Sequence, residues 1–213
     1  MSMQSSGNIS EHVKQCQKKG FARIPGVFSL EEVNKLRAAA ILAMQGQPKV
    51  EVFNNYPAIL FWPENDYMKE LSRDPRLMEI VSLYYGHEDY ELETQQYYFH
   101  LPGDPDEFAW HTDERFRPGV GNLYLQTAIV VDPWTDENSA VEFIEGSHKK
   151  PFNNGKDLRT FVRGDMRGTK LHAEPGDVLT WSNTVVHGSE RNHANYPRQY
   201  YMNGFRAKNI AEC

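Results

Sequence analysis

The chain has 213 residues, which is enough for one domain with a sizeable buried core and too few for two average domains. Hydrophobic residues make up 39% and charged residues 24% of the sequence, which argues against disorder over most of its length. The formal net charge of -6 disfavours nucleic acid and anionic membranes as partners, because both attract basic proteins. We therefore predict a single globular domain over residues 1–213.

The composition also bears on location and on the use of cysteine. Residues 1–20 are polar and lack the apolar segment of a secretory signal, and the longest small apolar stretch, 38–44, is too short to cross a bilayer. A cytoplasmic location is the resulting prediction. Cys16 and Cys213 lie near opposite ends of the sequence, which fits neither a disulfide framework nor a zinc cluster.

Residues 10–90 are predicted to be mostly helical. The segment 1–8 is rich in Ser, Gln and Gly and is expected to be disordered. A first helix is predicted to begin with Ser10 as its N-cap and to end before Gly20, because glycine commonly terminates helices.

Two further helices carry clearer start and stop signals. Ser29 and Glu32 have the spacing of a capping box, which predicts a helix that follows Ser29. Pro75 suits the first position of a helix, and Gly86 is placed to end it. These helices are expected to pack on the outside of a sheet.

From residue 91 to residue 207 the pattern changes to short runs of β-branched and aromatic residues separated by turn residues, which predicts strands. The candidate strands are 92–101, 122–131, 140–144, 177–182 and 199–207. Several short strands with no helices between them favour an antiparallel sandwich or barrel over a parallel α/β sheet. The predicted architecture is mainly β with flanking helices.

Candidate metal ligands stand at the end of a predicted strand. His111 and Asp113 are two residues apart, so their side chains can point to the same side of extended backbone. The pair is weak alone, because similar pairs occur elsewhere in the chain. Support comes from His187, which follows a tight turn at 174–177 and a predicted strand. Two His and one carboxylate form a facial triad that leaves positions on Fe(II) open for a bidentate oxoacid and O2.

Arg198 is the candidate for the other end of the oxoacid. It lies at the start of the last predicted strand, and its planar guanidinium can bind a carboxylate through two hydrogen bonds. A dicarboxylate that chelates a metal at one end needs such an anchor at the other. The pattern therefore predicts a site for an oxo-dicarboxylate.

Motifs along nearly the whole chain resemble those of the phytanoyl-CoA dioxygenase family of Fe(II)- and 2-oxoglutarate-dependent oxygenases. The matching segments are 20–29, 74–77, 101–103, 110–113, 137–149 and 176–177, together with the residues around His187 and Arg198. Each motif is weak alone, and their combination in this order is specific.

The resemblance implies a double-stranded β-helix, that is, a cupin-like jelly-roll core. It implies that His111, Asp113 and His187 bind Fe(II) and that Arg198 binds the distal carboxylate of 2-oxoglutarate. The further candidates for cofactor binding are Ser189, Thr127, Gln96 and His100. The expected reaction consumes O2 and 2-oxoglutarate, releases succinate and CO2, and hydroxylates a small organic metabolite.

The chain departs from the family pattern at three positions. Ser139 stands where the family often has Gly, Glu145 where it often has Pro, and Thr112 where it often has Gln. The triad and Arg198 are intact, so we expect these departures to affect the substrate rather than the cofactors.

The remaining histidines are interpreted without a role in catalysis. His148 lies in a turn that resembles a structural feature of the family, so it is expected to be a hydrogen-bonded loop residue. His87 and His172 are expected to be surface residues or local caps.

The segment 149–170 carries seven basic and two acidic residues in an otherwise acidic chain. A charge run usually faces water, so a solvated loop is one interpretation. The other is a loop beside the active-site mouth that attracts an anionic substrate. Under that interpretation the substrate-binding candidates are Arg115, Arg117 and Arg163.

Two other functions remain open from the sequence. A jelly-roll protein without catalysis could bind a metal or small ligand or serve as a sensor, and a hydrolase or isomerase could use the same ligands with another metal. The intact triad argues against the first alternative, and Arg198 argues against the second. The identity of the substrate, the choice among hydroxylation, desaturation and cyclisation, and the oligomeric state stay open.

Overall fold

The computed structural model describes residues 6–45, 51–52, 58–61, 65–102, 108–116, 123–149 and 168–208. Within these ranges the strands form two sheets. In chain order they are β1 (Phe21–Ile24), β2 (Glu51–Val52), β3 (Ala58–Phe61), β4 (Tyr90–His100), β5 (Phe108–His111), β6 (Tyr124–Val130), β7 (Glu142–Phe143), β8 (Thr169–Lys170), β9 (Val178–Ser182), β10 (His187–Ser189) and β11 (Arg198–Ala207).

The larger sheet has the strand order β1-β9-β6-β11-β4-β3-β2, and the smaller sheet has the order β5-β10-β7-β8. The pairings are antiparallel in both sheets. Neighbouring strands are often far apart in the sequence, as in jelly rolls, where two sheets face each other. The five predicted strands correspond to β4, β6, β7, β9 and β11, and their ends agree to within two residues.

Four helices precede β4, namely α1 (Ser6–Lys19), α2 (Leu30–Gln45), α3 (Asp66–Leu71) and α4 (Pro75–Tyr85). The capping box of α2 is present, since Glu32 N donates to Ser29 Oγ at 3.3 Å and Ser29 N donates to the Glu32 carboxylate at 2.7 Å. Asp74 caps α4 by accepting a hydrogen bond from Arg76 N at 2.9 Å. Gly86, with a φ of 75°, ends that helix. The predicted limits of α4 are therefore confirmed.

The first helix begins earlier than predicted. It starts at Ser6 rather than after Ser10, so the expected disorder of segment 1–8 is wrong for residues 6–8. Residues 1–5 lie outside the described ranges. Gly20 follows the helix with a φ of 98°, a conformation that side-chain-bearing residues rarely adopt.

Residues 10–90 were predicted to be mostly helical, but they also contain three strands of the larger sheet, β1, β2 and β3. The helix α3 was not among the three helices predicted there. β1 is only four residues long, and it pairs with β9 so that Phe21 lies opposite Trp181. Such a short strand is specified by its distant partner rather than by its own sequence, which is why local patterns did not reveal it.

The helices cover one face of the larger sheet, and the other face turns toward the smaller sheet. Val33 of α2 and Leu77 of α4 pack in one buried cluster with Tyr201 of β11. The next residue on that strand, Met202, packs instead in a cluster with Phe143 of the smaller sheet. Since side chains alternate along a strand, β11 contributes to both sides of the molecule, and the candidate site lies on the Met202 side.

Candidate active site

The three predicted metal ligands meet in one place. Nε2 of His111 lies 3.7 Å from Oδ1 of Asp113, and Nε2 of His187 lies 3.8 Å from the same oxygen. One potential ligand atom of each residue lies within 4.8 Å of the others. The structure therefore brings together the two His and one carboxylate that were predicted from positions up to 76 residues apart (187 minus 111).

Backbone pairing explains this convergence. His111 ends β5 and His187 begins β10, and the two are directly opposite in the antiparallel pair. Their rings therefore share one face of the smaller sheet, with centroids 4.3 Å apart. Asp113 follows in a 3-10 turn, Asp113–Phe116, that is tied down where Glu114 N donates to the carbonyl of Asn183 at 3.0 Å.

Hydrogen bonds from neighbouring residues orient the ligand atoms. Nδ1 of His187 lies 3.0 Å from the carbonyl of Val185, which can only accept, so the ring proton sits on Nδ1 and Nε2 is left free. The indole N–H of Trp181 donates to Oδ2 of Asp113 at 2.9 Å, which leaves Oδ1 facing the two histidines. In metal sites, hydrogen bonds to the side-chain atoms that do not bind the metal fix the orientation of the ligands.

The three candidate metal ligands line a cleft between the two sheets. Arg198 lines the same cleft and is fully buried. Its Nη2 donates to Ser189 Oγ at 3.2 Å, and its Nη1 donates to the carbonyl of Asn138 at 3.2 Å. Among the described residues no carboxylate pairs with this guanidinium, and its Nε finds no acceptor there. Burial lowers the pKa of Arg198 to about 10, which leaves it charged at neutral pH. Buried charges in proteins are usually paired with an opposite charge, so Arg198 is a candidate for binding an anionic group.

The turn that holds Asn138 explains one departure from the family pattern. Asn138 Oδ1 accepts from Thr135 N at 2.9 Å, which ties the turn 135–138 together, and the Asn138 carbonyl accepts from Arg198. Ser139 follows with a φ of 60°, a left-handed conformation that glycine adopts without strain. The Ser139 hydroxyl donates to the carbonyl of Arg191, which offsets part of that strain.

The three candidate ligands and Arg198 lie in one cleft. Its lining residues are mainly aromatic, apolar or small, apart from Arg198 and the triad; they include Tyr98, Trp134, Val141, Phe143, Trp181, Gly188, Ser189, Tyr200 and Met202. A concave, largely apolar pocket with a few convergent polar groups is the usual form of a small-molecule site.

The further cofactor candidates are placed differently from one another. Ser189 lines the cleft and contacts Arg198. Gln96 lies opposite Met202 on the cleft face and accepts a hydrogen bond from the Tyr98 hydroxyl at 3.0 Å. His100 lies opposite Arg198 and is fully buried, and burial, with Arg198 beside it, lowers the pKa of His100 to about 2. His100 is therefore neutral and adjoins the cleft without lining it.

Thr127 was predicted to bind the cofactor, but it does not lie on the face of the sheet that lines the cleft. Thr127 lies opposite Asn203 on β11, and residues 200 and 202 of that strand face the cleft, so residue 203 and Thr127 face the helices. The Thr127 hydroxyl donates to the carbonyl of Asn203 at 3.4 Å. A side chain on that face cannot reach the cleft through the sheet.

The substrate candidates cannot be placed by their side chains. Arg115 lies in the 3-10 turn after Asp113, but its side chain is outside the described part of the chain, as are Arg117 and Arg163 altogether. Most of the basic segment 149–170 is outside it as well. At its end, Lys170 pairs with Asp136 at 3.3 Å.

The remaining histidines have the structural roles that were predicted for them. His148 is buried, and its Nε2 lies 3.1 Å from the carbonyl of Gln17 in α1. His87 is exposed and accepts from Asp89 N at 3.1 Å. His172 is exposed and lies 3.2 Å from the Asp136 carboxylate. None of the three lines the cleft.

Sequence reasoning missed several residues of the site. Trp181, Trp134 and the pair Tyr98 and Tyr200 line the cleft and were not singled out. A signal was available for Tyr200, because it follows Arg198 by two residues on a predicted strand and must share its face. Trp181 carried no such signal, since its contact with Asp113 depends on how the two sheets meet.

Comparison with known proteins adds an independent line of support. A family model described as phytanoyl-CoA dioxygenase (PhyH) matches residues 16–200. A protein of Stutzerimonas stutzeri, described as a probable alpha-ketoglutarate-dependent hypophosphite dioxygenase, is 25% identical over 228 residues. That match covers 93% of this chain and 79% of the other protein.

Solved structures share the fold at low sequence identity. The epimerase SnoN, in complex with Fe3+, alpha ketoglutarate and nogalamycin RO, has a TM-score of 0.82 at 18% identity, over 95% of this chain and 84% of that chain. EctD from S. alaskensis, with 2-oxoglutarate and 5-hydroxyectoine, has a TM-score of 0.77 at 17% identity, over 97% and 79%. The predicted jelly-roll core is thereby confirmed. No helix within the described ranges has the length and apolar character needed to span a membrane.

Proposed function

The chain belongs to the phytanoyl-CoA dioxygenase family of iron- and 2-oxoglutarate-dependent enzymes, and on this premise we propose that it hydroxylates a small, anionic organic metabolite. In this proposal His111, Asp113 and His187 hold Fe(II), and Arg198 holds 2-oxoglutarate. The observation that carries it is the presence, in one cleft, of the triad and a buried arginine that pairs with no carboxylate of the described residues.

The donor set fits Fe(II). Two imidazoles and one carboxylate are typical of non-haem Fe(II) oxygenases, and three ligands leave room for an oxoacid and O2. A structural zinc site would instead fill four positions with protein ligands. The hydrogen bonds to His187 Nδ1 and Asp113 Oδ2 support this assignment, because they direct the free atoms toward a common point.

The surroundings of Arg198 fit the distal carboxylate of 2-oxoglutarate. An arginine can bind a carboxylate through two parallel hydrogen bonds, and burial strengthens that interaction. Ser189 lies within hydrogen-bond distance of the guanidinium and adds a hydroxyl at the same end of the cleft. The dicarboxylate would then bridge from Arg198 to the metal.

The roles of the chain's own residues follow from these positions. When bound, iron and 2-oxoglutarate supply the oxidising chemistry, in which O2 and 2-oxoglutarate yield succinate, CO2 and a hydroxylated product. The Trp181 N–H and the Val185 carbonyl hold the ligand side chains in place. The aromatic walls, including Phe143 and Tyr98, limit the access of water to the reacting groups.

Two features support an anionic substrate. The segment 149–170 has a net excess of five basic residues (seven minus two), and clustered basic residues raise the local concentration of anions. The Stutzerimonas relative is described as acting on hypophosphite, a small anion. Arg115, Arg117 and Arg163 are the candidates for contact with such a substrate.

The cofactor assignment is tested by anaerobic titration of the metal-free protein with Fe(II) and 2-oxoglutarate, with the visible charge-transfer absorption of the chelate as the signal. His111→Ala is the test variant, and His172→Ala, on the surface, is the matched control. We expect the band in the wild type and in the His172 variant, and its loss in the His111 variant.

Other results would redirect the proposal. A wild type without the band would favour a non-catalytic binding protein or a different metal. A band retained in the His111 variant would remove that residue from the metal site. Succinate release stimulated by neutral compounds but by none of a panel of carboxylates, phosphonates and hypophosphite would overturn the anionic substrate.

A further inference from the structure

Tyr200 occupies a distinctive position in the cleft. It follows Arg198 by two residues on β11, so both side chains emerge from the same face of the larger sheet. Both residues line the cleft, and Tyr200 is 8% exposed. The Tyr200 side chain therefore lines the same cleft as Arg198.

Neighbouring rings hold the Tyr200 side chain in place. Its ring stacks on that of Tyr98, with centroids 4.7 Å apart and an interplanar angle of 7°. Trp134 packs against it edge-on, at 5.2 Å and 69°. Trp134 also lies beneath the Arg198 guanidinium, 5.1 Å from its ring centroid. The phenol and the guanidinium thus share one rigid support and need little ordering when a ligand binds.

The Tyr200 hydroxyl differs from those of its neighbours. The Tyr98 hydroxyl donates to Gln96 at 3.0 Å, and the Tyr201 hydroxyl donates to the carbonyl of Met68 at 3.0 Å. No residue in the described part of the chain accepts a hydrogen bond from Tyr200. Burial raises the pKa of Tyr200, Arg198 lowers it by a smaller amount and Asp113 raises it further, so the group stays a neutral donor.

We propose that the Tyr200 hydroxyl donates a hydrogen bond to the distal carboxylate of 2-oxoglutarate, beside Arg198 and Ser189. This inference rests on the proposed function of the cleft. Arg198 already donates to Ser189 and to the Asn138 carbonyl, so part of its hydrogen-bonding capacity is used within the protein. A carboxylate has about four acceptor positions, and a neutral donor can fill one without another buried charge.

The test is calorimetric titration of the Mn(II)-loaded protein with 2-oxoglutarate, which measures binding without turnover. Tyr200→Phe removes the hydroxyl and keeps the ring. Tyr201→Phe is the matched control, because it is the same substitution on the next residue of the strand, whose side chain faces the helices. 2-Oxopentanoate, in which a methyl group replaces the distal carboxylate, serves as the second ligand.

We expect Tyr200→Phe to raise the Kd for 2-oxoglutarate about tenfold, the usual scale for a hydrogen bond to a charged acceptor. The Kd for Mn(II) and the Kd for 2-oxopentanoate should change less than about twofold. Tyr201→Phe should leave all three constants within about twofold of the wild type, because its hydroxyl bonds to Met68 outside the cleft.

Three results would overturn the inference. The first is an unchanged Kd for 2-oxoglutarate in Tyr200→Phe. The second is an equal loss of affinity for 2-oxopentanoate, which would place the contact elsewhere on the ligand. The third is an equal loss in Tyr201→Phe, which would indicate a general packing effect. A wild type that binds Mn(II) but not 2-oxoglutarate would instead refute the proposed function itself.

Discussion

The two ends of β11 each carry an arginine. One of them is partly exposed and paired with carboxylates, and the other is buried among neutral groups. Near the end of the strand, Arg206 contacts Glu91 at 2.6 Å and Glu93 at 2.5 Å, and its side chain is 44% exposed. At the start of the strand, Arg198 is fully buried and contacts the neutral groups of Ser189 and Asn138. Pairing with Glu91 raises the pKa of Arg206, whereas burial lowers that of Arg198.

Arg206 is neutralised by carboxylates of the protein, whereas Arg198 pairs with no carboxylate of the described residues. An exposed ion pair adds little to stability and costs little to maintain. A buried cation without an acid is costly, and the cost persists until an anion arrives. Under the proposed function, Arg198 lowers the stability of the ligand-free protein and provides the affinity for 2-oxoglutarate. The predictions below test this contrast.

The largest expected effect is on cosubstrate binding. Arg198→Met should raise the Kd for 2-oxoglutarate at least about 30-fold, because loss of one partner of a buried charge pair costs roughly 2 to 5 kcal/mol. Arg206→Met should change it less than about twofold, since its carboxylate partners lie on the protein. Calorimetry on the Mn(II)-loaded proteins measures both values. An equal loss of affinity for 2-oxoglutarate in the two variants would show that Arg198 has no specific role in binding it.

The same pair of variants should differ in stability, with Arg198→Met more stable than the wild type. Replacement of a buried charge by an apolar side chain of similar length is expected to stabilise the ligand-free protein by about 1 to 3 kcal/mol. Arg206→Met should be neutral or slightly destabilising. Urea unfolding without metal or 2-oxoglutarate measures the free energies, and a destabilised Arg198→Met would show that this arginine is structural.

Asp113 shows a similar difference between its two carboxylate oxygens. One oxygen accepts a hydrogen bond from Trp181 within the protein, and the other faces the two histidines. Trp181→Phe removes the N–H donor and keeps an aromatic ring. We expect the Kd for Mn(II) to rise about tenfold, which is at the lower end of the usual effect of removing a hydrogen bond to a metal ligand. The affinity of the wild type and the variant is compared by competition with a chelator. An unchanged Kd would mean that Asp113 is oriented by the backbone alone.

The smallest effect concerns a charge pair that is structural. Arg76 lowers the pKa of Glu32 to about 2, from an ordinary value of 4.5, by hydrogen bonding at 2.7 Å. The folded pKa is the lower one, so the pair stabilises the protein above pH 4.5 and loses its contribution as the pH falls toward 2. The Glu32 side chain is 34% exposed, so solvent screening limits the effect to less than about 1 kcal/mol.

Glu32→Gln should therefore flatten the fall in Tm between pH 4.5 and pH 2 and leave metal and 2-oxoglutarate binding unchanged. Glu79→Gln, on the neighbouring helix α4, is the control. Differential scanning calorimetry across this range measures the slope. The pair has no role in acid stability if the two variants give the same curve.

Much of the site was accessible to sequence reasoning because its signals are local. Ser29 and Glu32, or Pro75 and Gly86, identify helix ends within a few residues, and alternation along a strand places Arg198 and Tyr200 on one face. The spacing of His111 and Asp113 is also a local feature. The triad and the arginine were named from these patterns together with the resemblance to the phytanoyl-CoA dioxygenase family.

Other features depend on register between strands that are distant in sequence. Thr127 was expected in the oxoacid pocket, but its pairing with Asn203 turns it toward the helices. A shift of one residue in that pairing would reverse the face of every side chain on the strand, and the local sequence does not specify it. The same holds for β1, which becomes a strand only by pairing with β9.

The sequence by itself determined the candidate ligands, the helix caps and the mainly antiparallel β-core, since each is expressed by residues that lie close together along the chain. Only the tertiary structure decided that Trp181 contacts Asp113, that Asn138 directs its carbonyl at Arg198, and that no carboxylate of the described residues neutralises that arginine. These are contacts between elements far apart in the sequence, and they arise only when the two sheets face each other and the enclosed side chains lose access to water.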